Sequence, residues 1–229
     1  MNPKIQRRSF VGAAILSLAG LSKVTQATEA ASSDPDLDLM ASRLKNEEGR
    51  GCGLSPLQKY SSLLAVVVAQ ALPEAASEIA QEALRAGVTA SEIKEAVYQC
   101  SPYVGIGKVR ATLKGVNDAL ASEGIKLPLP SQTRVNDANR RAAGERQVLE
   151  LNGDRMRDIL SRVPKDEYEL RVNDLYAFCF GDFYTRGALT VKDRELVVFC
   201  AIAALGGCEP QLRGANLRQG TTKRNWLNC

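Results

Sequence analysis

Residues 54–72 read LSPLQKYSSLLAVVVAQAL, and the way this run folds decides the class of the protein. Its valine triplet, Val66–Val68, would suit a strand. The beginning of the run argues for a helix. Ser55 followed three residues later by Gln58 is a capping box, in which each side chain satisfies a backbone N–H that a helix start leaves unpaired. Pro56 stands at the first helical position, where a missing N–H does no harm. The valines then lie inside a capped run of ordinary helix length, and the spacing predicts a helix over 56–72.

The same logic extends outward. Pro73 restarts the chain, and Ala76, Ile79, Ala80, Ala83 and Leu84 recur at helical spacing until Gly87, which predicts a helix over 74–86. Thr89 with Glu92 is a second capping box, opening a helix over 90–101 whose apolar face is Ile93, Ala96, Val97 and Cys100. Pro102 and Gly105 break it. A further helix over 108–123 places Val109, Leu113, Val116 and Leu120 on one face. Residues 125–137 read as a Pro-containing linker. Two polar helices follow, near 138–162 and 166–180, and then a turn-like stretch, Gly181–Gly187. The expectation is an all-α bundle.

Beyond residue 187 the first half recurs. Leu189-Thr190 with Asp193 mirrors Leu54-Ser55 with Gln58, and the apolar helix expected over 191–205 ends in Ala204-Leu205 as the first ends in Ala71-Leu72. Leu84–Thr89 is answered by Leu217–Thr222. A helix hairpin occurring twice implies two stacked units sharing a core: a first repeat over 54–124, and a second over 138–229 with its preceding helices. In that register Trp226 falls where Ile93 stands and Cys229 where Ala96 stands. The counterpart of the first repeat's last helices is missing from the second. An uncovered apolar face of that kind would be covered by another subunit, so a homo-oligomer is expected.

The first thirty residues read as an address. Lys4 and the pair Arg7-Arg8 precede Ser9-Phe10, an apolar stretch from Val11 to Leu21, and small residues around Ala27, Ala30 and Ala31. The stretch is too short to span a bilayer but suits a signal-peptide core, and the twin arginines suit Tat-type export to the periplasm. Residues 31–53 are polar and read as a linker with one short helix. The charge of the whole chain is +4, yet four basic residues and one acid lie in the first thirty positions, leaving 26 basic residues against 25 acidic ones. A near-neutral remainder gives no case for nucleic acid or a membrane surface as partner. The six cysteines (Cys52, Cys100, Cys179, Cys200, Cys208 and Cys229) form no C-x-x-C, and the chain has no histidine, so neither a metal nor any other cofactor is expected. Cys100, Cys179 and Cys200 sit in apolar helical runs, where a thiol is usually core. Gly105–Lys108 has the look of an anion-binding turn but lacks the strand and the full glycine pattern of a nucleotide loop.

Several motifs in order carry a resemblance. Glu92–Gln99 with Ser101–Gly105, Phe180–Arg186, Arg194-Glu195-Leu196, and Gly206–Leu212 are together similar to the carboxymuconolactone decarboxylase-like family, over most of residues 54–222. The resemblance implies an all-helical protein assembling as a trimer or hexamer and acting on a small molecule. The family includes decarboxylases of aromatic-catabolism lactones and the alkylhydroperoxidase D group, whose paired thiols reduce peroxides.

The same resemblance singles out Glu195 and Cys208 as catalytic. Glu195 matches the family's acid and Cys208 its first thiol, while Gln211 stands where the second thiol would be. The histidine of the decarboxylase branch would fall between Gly214 and Leu217, where this chain is shorter. In the first repeat Tyr60 occupies the place of Glu195. A peroxide reductase needs one thiolate to attack and another thiol to resolve the sulfenic acid; a decarboxylase needs a group that moves protons near neutral pH. Each residue also has a plainer reading. An acid near a helix start is favoured by the helix dipole, and Cys208 beside two glycines can simply be a small residue at a crowded turn. Two classes therefore stand side by side: an enzyme working through Glu195 and Cys208, or a helical subunit that assembles without catalysing.

Overall fold

The computed structural model describes residues 33–47, 53–209 and 212. The expected signal over 1–30, Cys52, Gln211, the answering hairpin at Leu217–Thr222 and Cys229 lie outside the described residues. The described helices are α1 (Pro35–Glu47), α2 (Pro56–Gln70), α3 (Pro73–Arg85), α4 (Ala90–Gln99), the single turn α5 (Ser101–Val104), α6 (Ile106–Ser122), α7 (Arg140–Ser161) and α8 (Val191–Leu205). Between the last two runs a wider, π-type helix, Leu175–Tyr184, preceded by a shorter one at Glu169–Asn173. Among the described residues there is no strand, and no helix is long and apolar enough to cross a membrane. The fold is all-α.

The helices begin where local chemistry says they should. Ser55 accepts the Gln58 N–H at 3.2 Å while the Gln58 side chain accepts the Ser55 N–H at 3.1 Å. Thr89 with Glu92 and Thr190 with Asp193 close the same reciprocal pair. Each box satisfies donors that the first turn leaves unpaired, a contribution of about 1 kcal/mol per cap. Val66–Val68 are helical, as the capped run requires.

Two hydrophobic clusters fill the molecule. The first joins α2, α3, α4 and α6 through residues such as Leu64, Val67, Ile79, Ile93, Val97, Val116 and Leu120. The second gathers Val148 and Leu160 of α7 with Tyr176, Cys179, Phe180 and Tyr184 of the π-type helix. Helix α8 belongs to both: Val197 and Ala201 join the first cluster, Val198 and Ile202 the second. A helix apolar on nearly every side is one that sits between layers.

The structure corrects one expectation. Gly181 does not open a turn; the π-type helix continues through it to Tyr184. Its glycine serves a close crossing instead. A Cβ at Gly181 would fall 2.3 Å from the Arg140 carbonyl oxygen, and one at Gly144 of α7 would fall 1.7 Å from that of Tyr176. Two glycines facing each other's backbones bring the two helices together, and Arg140 closes the crossing by binding both carboxylate oxygens of Asp182. This contact fixes where Cys179 and Tyr184 stand.

Candidate functional site

Once Asp193 has served the cap of α8, the next two side chains enter the protein. Arg194 is fully buried and Glu195 is 1% exposed. The dipole at a helix start does not explain Glu195, because the first-turn acid is Asp193. Adjacent helical positions point about 100° apart, and the two residues take different partners.

Arg194 reaches α4. Its guanidinium donates to Gln99 Oε1 at 3.0 Å, to Glu95 Oε2 at 3.3 Å, and to the carbonyls of Arg186 and Gly187 at 3.0 and 2.7 Å. Glu95 is itself buried and also receives Arg186, whose Nε and Nη2 donate at 2.8–3.0 Å. Arg186 continues to Thr133 at 2.9 Å and lies over the Tyr98 ring. One carboxylate thus holds two guanidiniums and ties α4, the loop before α8, and α8 itself. Burial lowers the pKa of Arg194, and the Glu95 carboxylate opposes that fall. Two buried donors of this clamp, Arg194 Nε and Gln99 Nε2, make no hydrogen bond.

Glu195 faces the second core. The Tyr184 hydroxyl donates to its Oε1 at 2.5 Å. Tyr184 is stacked on Phe180, and its oxygen lies 3.2 Å from the hydroxyl of Tyr103. The Tyr103 oxygen in turn lies 3.5 Å from Cys179 Sγ. A carboxylate, two phenols and a thiol therefore stand in one line of hydrogen bonds, drawn from α8, the π-type helix and α5. Burial pushes both phenols well above their ordinary pKa. For Tyr103 the neighbouring Tyr184 adds to the rise, and for Tyr184 the Glu195 carboxylate does. Both remain neutral hydroxyls able to donate and accept.

Cys208, the other residue singled out from sequence, follows Gly206 and Gly207, whose φ angles of 75° and 70° turn the chain sharply out of α8. It is half-buried and packs against the second core, the cluster that holds Cys179 and Tyr184. The hydroxyl that reaches Glu195, however, is that of Tyr184. Cys100 and Cys200 belong to the first core, as an apolar run suggests; burial pushes Cys100 far up and Cys200 up to about 11. The Gly105–Lys108 turn opens α6, and Lys108 is engaged by the carbonyl of Ala69 at 2.7 Å. Among the described residues no three His, Cys, Asp or Glu side chains gather as a metal site would need.

Sequence reasoning missed Tyr103, Tyr184, Cys179 and Glu95 as members of a site. A signal existed: Tyr103 and Tyr184 lie inside two of the motifs, and a tyrosine pulled into a core has to bring a hydrogen-bond partner with it. What the motifs share is a destination, since Ser101–Gly105, Phe180–Arg186 and Arg194-Glu195-Leu196 converge on Glu195. Residues 36–118 match the model of the Carboxymuconolactone decarboxylase family. The match begins at α1 and ends within α6, so it includes the helix that the sequence reading placed in a linker. No curated protein matches the chain.

Proposed function

Residues 36–118 match the Carboxymuconolactone decarboxylase family, and from that match we propose that the protein reduces small hydroperoxides at the expense of an external thiol, with Glu195 as the group that takes and returns the proton. The observation that carries this reading is the buried Glu195 carboxylate with the Tyr184 hydroxyl on it at 2.5 Å. A buried carboxylate reached through a neutral hydroxyl is a proton acceptor held in position, the arrangement general acid–base catalysis uses.

The choice of substrate follows from charge and sulfur. A carboxylated lactone would call for a cation beside it, whereas Arg186, two residues after Tyr184, and Arg194, next to Glu195, are both committed to Glu95. A hydroperoxide is neutral and needs no counter-ion. It needs a thiol, and Cys179 and Cys208 both pack in the second core.

The test is consumption of tert-butyl hydroperoxide by the purified full-length chain with dithiothreitol as reductant. Glu195→Gln should lower the rate on the order of a hundredfold, the usual scale for losing a positioned proton acceptor. Turnover that is absent, or equal in the variant, overturns the proposal. Thiol-independent loss of a carboxylated lactone's absorbance, sensitive to the same substitution, would replace the peroxide with a lactone.

A further inference from the structure

Resting on that peroxide reading, we infer that the attacking sulfur is Cys179, whose proton is drawn off through Tyr103 and Tyr184 to Glu195. The family position points to Cys208; the hydrogen bonds point elsewhere.

The direction of the line follows from counting protons. A carboxylate oxygen only accepts, so Tyr184 spends its one hydrogen on Glu195. Its oxygen is then the acceptor in the 3.2 Å contact with Tyr103, which must donate. Tyr103 has now spent its hydrogen too, so in the 3.5 Å contact its oxygen accepts from the Cys179 thiol. Every hydrogen points the same way, from sulfur to carboxylate. Such a line passes a proton by each group handing on its own, with no atom moving far. Cys179 is 7% exposed and belongs to the same cluster as the half-buried Cys208.

The reaction balances on these groups. Cys179 Sγ attacks the terminal oxygen of R–O–O–H; an S–O bond forms and the O–O bond breaks, its electron pair leaving on the alkoxide. As the sulfur attacks, its proton moves to Tyr103, that of Tyr103 to Tyr184, and that of Tyr184 to Glu195. The same hydroxyls then return a proton to the departing alkoxide. The sulfur is oxidised to a sulfenic acid and the peroxide is reduced to an alcohol. One molecule of the external thiol condenses with the sulfenic acid, giving a mixed disulfide and water, and a second releases the Cys179 thiol and the oxidised reductant. In this scheme Cys179 is the catalytic residue, while Tyr103 and Tyr184 position and pass its proton.

The experiment treats the full-length chain with one equivalent of tert-butyl hydroperoxide in the presence of dimedone and maps the adduct by peptide mass spectrometry. The adduct is expected on Cys179. Tyr103→Phe, which keeps the ring and removes the hydroxyl, should slow its formation on the order of a hundredfold. The wild-type rate should fall in heavy water along a curved proton inventory, and the variant should lose that curvature. A merely structural tyrosine would leave the inventory unchanged. An adduct on Cys208 alone, with peroxide still consumed, overturns this assignment and leaves the proposed function standing, as does an unchanged rate in Tyr103→Phe. If no cysteine is oxidised, both fall.

Discussion

Helices α2 and α8 start alike and are put to different use. Each follows a hydroxyl cap whose third residue completes the box, and the two pack against each other, with Gln70 of α2 donating to the Ala204 carbonyl of α8 at 2.7 Å. Five residues past its cap, α2 carries Tyr60, half-buried against the first core; at the same offset α8 carries Glu195. The buried side of α2 is aliphatic apart from Ser61, whereas α8 takes Asp193, Arg194 and Glu195 inside before its apolar run begins. The lesson is that a helix start specifies where the chain goes and says nothing of what it carries. Buried charge is tolerated on α8 because α4 and the π-type helix meet it with partners, whereas the buried side of α2 faces the aliphatic first cluster.

The sharpest way to break the difference is to remove the partner. Glu95→Ala would leave Arg194 buried without its carboxylate, and should destabilise the protein by roughly 3–5 kcal/mol, the scale for breaking a buried pair on one side. Urea unfolding measures this. A loss below about 1 kcal/mol, the scale of a surface pair, would mean that the clamp is ornamental to stability.

A smaller effect separates the thiols of the two cores. With Cys200 pushed up to about 11 by burial, against an ordinary thiol near 8.5, its alkylation by iodoacetamide at pH 8 should run more than a hundredfold below that of a free thiol, and Cys100 slower still. The sign carries to stability. These two thiols are harder to ionise folded than unfolded, so their contribution is complete below about pH 8.5 and is lost as the pH rises from there toward the folded value. Rapid native-state labelling of Cys200 at pH 8 would refute the burial.

The least effect should be the one the helices share. Ser55→Ala and Thr190→Ala each remove a cap, and each should cost about 1 kcal/mol in unfolding free energy. Similar losses would confirm that the two starts are equivalent. A much larger loss for Thr190→Ala would show that its box also positions Glu195.

The parts of the molecule that follow from near neighbours in the chain were legible without a structure. Capping boxes span three residues and apolar stripes span four, so all three boxes and the helices at 56–70, 73–85, 90–99, 106–122 and 191–205 follow from local reading. The all-helical fold was legible as well, and the motifs drew attention to Glu195. What was not legible depends on distant pairs. Tyr103 meets Cys179 across 76 positions and Tyr184 across 81, while Arg194 meets Glu95 across 99. No periodicity encodes such a meeting. Gly181 was misread for the same reason: a glycine after an aromatic run looks like a turn, and only the backbone of α7 shows that it is a contact.

The placement of α8 between two cores also has a consequence for how the chain reaches its native state. Most of the first cluster comes from residues before 121, yet it includes Leu189, Val197 and Ala201, and much of the second depends on Val198 and Ile202 of the same helix. A nascent chain therefore has to hold its early helices with one flank open until residues near 200 arrive. Closing so long a loop is slow relative to local helix formation. The last described helix should then act as the keystone of folding, with the slowest-exchanging amides of both halves protected together, and with no stable half-molecule on the way.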